Sequence, residues 1–104
     1  MLPAFHLDTP EISPADFLLI KDNPSYLVID VREPGEMPEA KGFSFLKIPL
    51  SELQKSIPVL HQDQVILFCH AGVRSLIAAG ILKEAYPDKS FFSLKGGILR
   101  LPPL

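Results

Sequence analysis

Two short runs of consecutive apolar residues constrain the fold of this chain more than any other feature. They are Tyr26 to Val31 (Y-L-V-I-D-V) and Gln64 to Phe68 (Q-V-I-L-F). Neither run alternates apolar with polar residues, as a strand with one face in water would. Continuous apolar strands are typical of a parallel sheet that is covered on both faces. The sequence therefore predicts a buried parallel sheet.

Helical segments are predicted between these strands. The segment Ser13 to Lys21 begins with serine followed by proline, and an acidic residue stands three positions after the serine. The S-x-x-Q pattern of Ser51 to Gln54 predicts a capping box that opens a second helix. Strong helix formers predict a third helix over Ser75 to about Tyr86. With a weaker strand at Phe43 to Ile48 and a last strand at Ser90 to Leu94, the alternation predicts an α/β fold.

Length and composition indicate one globular domain. We expect residues 1–104 to form a single domain with an ordered core of about 8–101 and a proline-rich tail at 102–104. A hydrophobic content of 47% with 21% charged residues excludes disordered and fibrous classes. The net charge of −2 and the scattered basic residues predict no binding to nucleic acid or to a membrane. Without a signal peptide pattern, the sequence predicts a cytoplasmic protein.

The single cysteine, Cys69, stands at the position where an α/β protein binds its ligands. It follows the apolar run 64–68 directly and precedes the helix expected from about Ser75. The helix N-terminus, the inward amides of such a turn and Arg74 would all favour a thiolate over a thiol. We therefore predict a nucleophile, although a buried, unreactive cysteine is the common alternative. The three scattered histidines do not provide zinc-site spacing, so no metal is expected.

Three neighbours of the cysteine have expected roles of their own. Gly72 is predicted to allow a positive φ or a close backbone approach in the loop. Ser75 is predicted either to cap the helix or to donate a hydrogen bond to a bound anion. His70 is predicted to lie at the rim of the site, where it would affect specificity rather than act as a base.

Four motifs, in order along the chain, resemble those of the rhodanese family. They are D-V-R-E-P-G-E at Asp30 to Glu36, I-P-L-S-E-L at Ile48 to Leu53, C-H-A-G-V-R-S at Cys69 to Ser75, and L-K-G-G-I at Leu94 to Ile98. The resemblance implies a three-layer α/β/α sandwich around a parallel five-stranded sheet. It also implies a cysteine that accepts sulfane sulfur from thiosulfate, mercaptopyruvate or a protein persulfide and passes it to a nucleophile.

Carried over to this sequence, the resemblance implies that Cys69 holds the persulfide and that the loop after it forms an anion-binding cradle. The cradle would consist of His70, Ala71, Gly72, Val73 and Arg74. Related cell-cycle phosphatases place five residues between cysteine and arginine, whereas this chain has four, so the resemblance favours sulfur transfer over phosphate or arsenate chemistry. It implies a structural role for Asp30, and for Arg32 it leaves two alternatives, supporting the loop or binding an anionic donor.

These observations predict a rhodanese-type sulfurtransferase that needs no cofactor. Cys69 would take sulfur from an anionic donor and pass it to an external thiol or a sulfur-carrier protein in a two-step, ping-pong transfer. The protein is expected to be a monomer or part of a larger chain. The motifs are also similar to those of rhodanese domains fused behind enzymes that adenylate ubiquitin-like sulfur carriers. The main alternative is a non-catalytic rhodanese-like module for docking or sulfur sensing.

Overall fold

A parallel five-stranded sheet forms the centre of the computed structural model, which describes residues 10–103. The order of the strands across the sheet is β1-β5-β4-β2-β3, and every neighbouring pair is parallel. The strands are β1 (Glu11–Ile12), β2 (Tyr26–Asp30), β3 (Leu46–Lys47), β4 (Gln64–Phe68) and β5 (Ser90–Leu94). The predicted α/β class and the parallel five-stranded sheet are confirmed.

Helices cover both faces of the sheet, as the continuous apolar strands require. They are α1 (Pro14–Ile20), α2 (Leu50–Leu53), α3 (Val73–Ala85) and a 3₁₀-helix (Ile98–Arg100). Residues of α2 and α3 pack in one apolar cluster, and residues of α1 and the 3₁₀-helix pack in the other. The molecule therefore has the three layers that the family resemblance implies.

The strands divide their residues between the two layers by simple alternation. In β4, Val65 and Leu67 pack in the cluster with α3, whereas Ile66 and Phe68 pack in the cluster with α1. Phe91 and Phe92 of β5 separate in the same way, with Phe91 buried on the α3 side. This alternation determines which side chains can reach the loop that follows β4.

The predicted first helix has the expected start, because the Ser13 hydroxyl accepts a hydrogen bond from the Asp16 amide at 3.1 Å. The capping box predicted at Ser51 is wrong. Helix α2 begins at Leu50 with Pro49 as its N-cap, and the Ser51 hydroxyl donates instead to the carboxylate of Glu33.

Other expected boundaries differ from those observed. The weaker strand expected over 43–48 is only two residues long, since Phe43 and Phe45 pack in the α1 layer rather than pairing with β2. Helix α3 begins at Val73, before the expected start at Ser75. Strand β1 was not predicted from the sequence, because a two-residue strand has no periodicity.

The predicted start of the ordered core at residue 8 and the last residue of the predicted tail lie outside the described residues. Within residues 10–103, no helix has the length and apolar character needed to cross a membrane. The same range holds no cluster of three histidine, cysteine or acidic side chains placed to bind a metal ion.

Candidate active site

Cys69 lies at the carboxyl edge of the sheet, in the loop between β4 and α3. It continues the alternation of Val65 and Leu67, so its side chain lies on the face of the sheet that α3 covers. The residue is only 1% exposed. The thiol is therefore at the base of the loop, and a reagent must bring a narrow group to reach it.

Two backbone amides donate to the sulfur. The Gly72 amide lies 3.1 Å from Sγ and the Ser75 amide lies 3.4 Å from it. Gly72 is the N-cap of α3 and has φ +98°, the left-handed conformation expected of it. Amide donors and the N-terminus of a helix both stabilise negative charge, and here both are directed at Sγ.

A chain of hydroxyl groups extends from the sulfur into the core. The Ser75 hydroxyl lies 3.4 Å from Sγ and 2.7 Å from the hydroxyl of Ser93 in β5. Both serines are fully buried. If Ser93 donates to Ser75, Ser75 can donate to the sulfur as a third hydrogen-bond donor. Ser75 therefore does not cap the helix, because it lies in the first turn of α3 and Gly72 is the N-cap.

Ser93 was missed by sequence reasoning. The available signal was a serine between the apolar residues Phe92 and Leu94 of the strand S-F-F-S-L. Ser93 lies two residues after Phe91, so the alternation of β5 directs it to the α3 side of the sheet. Pairing of Leu67 with Ser93 then brings it next to the end of β4.

The turn after β5 supports the loop from behind. The amide of Ile98 donates to the Cys69 carbonyl at 2.9 Å, and the amide of Leu99 donates to the His70 carbonyl at 3.3 Å. Gly97 has φ +69° and ψ −167°, a conformation that is essentially restricted to glycine. A Cβ at this position would overlap the His70 carbonyl. The second glycine of the G-G motif thus permits the turn to contact the loop.

Alanine at Gly97 is expected to destabilise the protein by about 2–3 kcal/mol and to displace the loop, because backbone strain and overlap with His70 act together. Gly35→Ala is the matched control, since Gly35 has φ +87° but no atom of the described residues within 4 Å of the Cβ position. Gly35→Ala should lower the free energy of unfolding by about 1 kcal/mol, because only backbone strain acts there. Urea unfolding of the two variants tests this, and equal losses of stability would contradict it.

Arg74 does not stand free in the loop. Its two terminal nitrogens donate to the two carboxylate oxygens of Glu36, at 2.6 and 2.7 Å. This hydrogen bonding lowers the pKa of Glu36 from 4.5 to about 2 and raises that of Arg74. Glu36 was part of a recognised motif, yet no pattern in the sequence indicated its partner, which is 38 residues away.

The Glu36–Arg74 pair predicts a pH dependence of stability. Because folding lowers the pKa of Glu36 to about 2, its carboxylate stabilises the folded state fully above pH 4.5 and progressively less as the pH falls towards 2. We expect Glu36→Gln to lower the free energy of unfolding by about 1 kcal/mol near neutral pH. This difference should approach zero near pH 2. Urea unfolding across this range measures it, and a difference independent of pH would contradict the assignment.

Asp30 and Arg32 form a buried ion pair beside the loop that carries Glu36. Arg32 Nε and an Nη donate to the two oxygens of Asp30 at 3.0 and 3.1 Å, and the other Nη donates to the Pro38 carbonyl at 2.7 Å. The guanidinium also lies 5.6 Å from the ring centroid of Phe68. Of the two roles left open for Arg32, these contacts favour support, since they fix the segment on which Glu36 approaches Arg74.

Apolar side chains make up much of the outer part of the loop. His70 is half-buried, Ala71 is exposed, and the Val73 side chain is 65% exposed. Leu99 of the supporting turn and Met37, next to Glu36, are also exposed. The predicted loop residues therefore come together around one cysteine, with exposed apolar side chains beside it.

Comparisons with known proteins agree with this architecture. The family model described as Rhodanese-like domain matches residues 13–100. Among curated proteins, YrkF of Bacillus subtilis (strain 168), named as a candidate sulfur carrier protein, is 36% identical over 77 residues. The match covers 72% of this chain and 42% of YrkF, so the chain spans about two fifths of that relative.

Solved structures of rhodanese-related proteins have a similar fold. A rhodanese homologue of the bacterium Thermus thermophilus has a TM-score of 0.71 and 26% identity, over 88% of this chain and 99% of that one. The polysulfide-sulfur transferase homodimer of Wolinella succinogenes has a TM-score of 0.62 and 29% identity. That match covers 97% of this chain and 82% of the transferase chain.

Proposed function

Because this chain belongs to the family of rhodanese-like domains, we propose that it is a sulfurtransferase that carries sulfur as a persulfide on Cys69. The observation that carries the proposal is the environment of Sγ, which accepts hydrogen bonds from the amides of Gly72 and Ser75 at the N-terminus of α3. These donors would stabilise the attacking thiolate and the persulfide anion that replaces it. The names of YrkF and of the Wolinella transferase support sulfur as the transferred element.

The proposed reaction has two steps. In the first, the Cys69 thiolate attacks the outer sulfur of a donor such as thiosulfate or a protein persulfide, and the donor's S–S bond breaks. The electron pair of that bond leaves with sulfite or with the donor's thiolate. In the second, an external thiolate or cyanide takes the outer sulfur and the Cys69 thiolate is restored. Since residues 1–104 contain one cysteine, a thiol acceptor lies outside them, for example on a sulfur-carrier protein.

The proposed roles of the other residues follow from their contacts. Loop residues 70–74 form the cradle, with Ser75 and Ser93 extending its hydrogen bonds into the core. Asp30 and Arg32 would act by holding the neighbouring segment rather than by binding the donor. The comparison with YrkF also supports a role within a longer protein, where the sulfur acceptor could be another domain.

Intact-mass spectrometry tests the proposal. The protein is incubated with thiosulfate or with an organic persulfide, desalted, and weighed before and after addition of cyanide. We expect a gain of one sulfur atom that is absent in Cys69→Ser, and its removal by cyanide. No gain with either donor would contradict sulfur transfer and favour the non-catalytic docking or sensing module. Turnover of an aryl phosphate or of arsenate would instead indicate the chemistry of the related phosphatases.

A further inference from the structure

The two arginines of the motifs around Cys69 are already paired with carboxylates of the protein. Both terminal nitrogens of Arg74 are bound to Glu36, and Arg32 is bound to Asp30. Glu33 adds a further carboxylate that interacts with Arg74. The two arginines thus face three carboxylates. A doubly charged donor would have to displace Glu36 to gain a bidentate contact with Arg74.

Glu36 is held in a way that makes it compete strongly with an anionic donor for the guanidinium of Arg74. Its carboxylate accepts the two hydrogen bonds from Arg74 and a third from the Glu33 amide at 2.7 Å. The segment that bears it is fixed by the bond from Arg32 to the Pro38 carbonyl. A bidentate charge-assisted pair of this kind is the geometry that a sulfonate or sulfate group would need from the same guanidinium.

We infer that Glu36 selects the sulfur donor, excluding dianions such as thiosulfate and leaving organic persulfides as the substrate class of this site. The inference rests on the proposed function and narrows it. A persulfide R–S–S⁻ presents a narrow terminal sulfur to the buried Sγ and needs no guanidinium for its leaving group. The apolar rim of Ala71, Val73 and Leu99 is compatible with an uncharged R group.

The transfer from a persulfide balances without a further reactant. The Cys69 thiolate forms a bond to the outer sulfur of R–S–S⁻, and the bond between the donor's two sulfurs breaks. The electron pair of that bond leaves on the inner sulfur as R–S⁻, which takes a proton from water. The products are the Cys69 persulfide anion and one thiol, with no net oxidation.

The test compares two donors in three proteins. Rates of sulfur gain on Cys69 are measured by intact mass with thiosulfate and with the persulfide of 2-mercaptoethanol, which is uncharged apart from its reacting sulfur. In the wild-type protein the persulfide should react faster. In Glu36→Gln the ratio of the thiosulfate rate to the persulfide rate should rise about tenfold or more, since a charge-assisted competitor is lost. Glu39→Gln is the matched control, because Glu39 is 69% exposed, bears the same charge, and pairs with Lys41 instead.

A second measurement does not depend on sulfur transfer. Sulfate, an inert dianion, is tested for protection of Cys69 against alkylation by iodoacetamide. Protection should require about tenfold less sulfate in Glu36→Gln than in the wild type, and Glu39→Gln should behave as the wild type does.

The outcomes separate the inference from the proposed function. If neither donor loads any of the proteins, sulfur transfer fails, and the sulfate measurement still decides whether Glu36 excludes dianions. If the wild type takes sulfur from thiosulfate as fast as from the persulfide, or if the ratio is unchanged in Glu36→Gln, the inference is overturned. The Arg100 side chain lies across Gly96 beside the loop. If the wild type reacts with thiosulfate and Arg100→Gln does not, Arg100 binds the dianion and the inference is also overturned.

Discussion

Replacing Cys69 with serine is expected to abolish sulfur gain from every donor while leaving the fold intact. The serine oxygen is smaller than sulfur, so it fits the same space, and it can accept bonds from the amides of Gly72 and Ser75. The free energy of unfolding should therefore change by less than about 1 kcal/mol. A serine hydroxyl is not ionised in this setting and forms no persulfide, so the variant should gain no sulfur at all. Intact mass and urea unfolding of the same preparation measure both effects.

Ser75→Ala is the matched control for this prediction. It keeps the thiol and removes only the hydroxyl that lies 3.4 Å from Sγ. Loading should become slower, by about tenfold, because one donor to the thiolate is lost and Ser93 loses its partner. Any sulfur gain by the serine variant at position 69 would show that sulfur is held elsewhere on the chain.

Asp30→Asn is expected to lower the free energy of unfolding by about 3–5 kcal/mol, the largest effect on stability that we predict. Asp30 is 3% exposed and Arg32 is 5% exposed. Removing the carboxylate charge leaves the guanidinium buried without a counter-charge, and it weakens the bond from the Arg32 amide to Asp30 Oδ1. Because Arg32 also holds the Pro38 carbonyl, loosening of this pair should also release Glu36 from Arg74.

Asp63→Asn serves as the control, since Asp63 is 90% exposed and lies 3.6 Å from Lys89. It should change stability by less than about 0.5 kcal/mol, as expected of an exposed pair. The double variant Asp30→Asn with Arg32→Met removes the unpaired charge and should be more stable than Asp30→Asn alone. Urea unfolding of the four proteins tests the series. A double variant that is less stable than the single one would contradict a charge-burial cost.

Local sequence predicted the elements whose signals lie within a few residues. The strands 64–68 and 90–94 were predicted to the residue, and Ser13 caps α1 as expected. The start of α2 was wrong, because Ser51 found Glu33, a partner 18 residues away, in place of its own backbone. Short-range patterns such as a capping box describe what a segment can do alone, and a tertiary contact can replace them.

The position of Cys69 was determined by the sequence itself. In a parallel sheet, the residue that directly follows a buried strand lies at the carboxyl edge of the sheet. Cys69 has this position because it stands between the strand 64–68 and a glycine-containing turn into a helix. The four-residue spacing to Arg74 and the absence of a second cysteine are likewise sequence facts.

The partners of the cysteine loop were decided only by the tertiary structure. Ser93 reaches Ser75 because the register of β5 on β4 places it opposite Leu67. Glu36 reaches Arg74 because a buried ion pair fixes the path of an exposed loop across 38 residues of sequence separation. Pairings of this kind depend on strand register and loop path, which no local pattern of residues encodes. The charge that surrounds the cysteine, and with it the proposed choice of sulfur donor, is therefore a property of the folded chain.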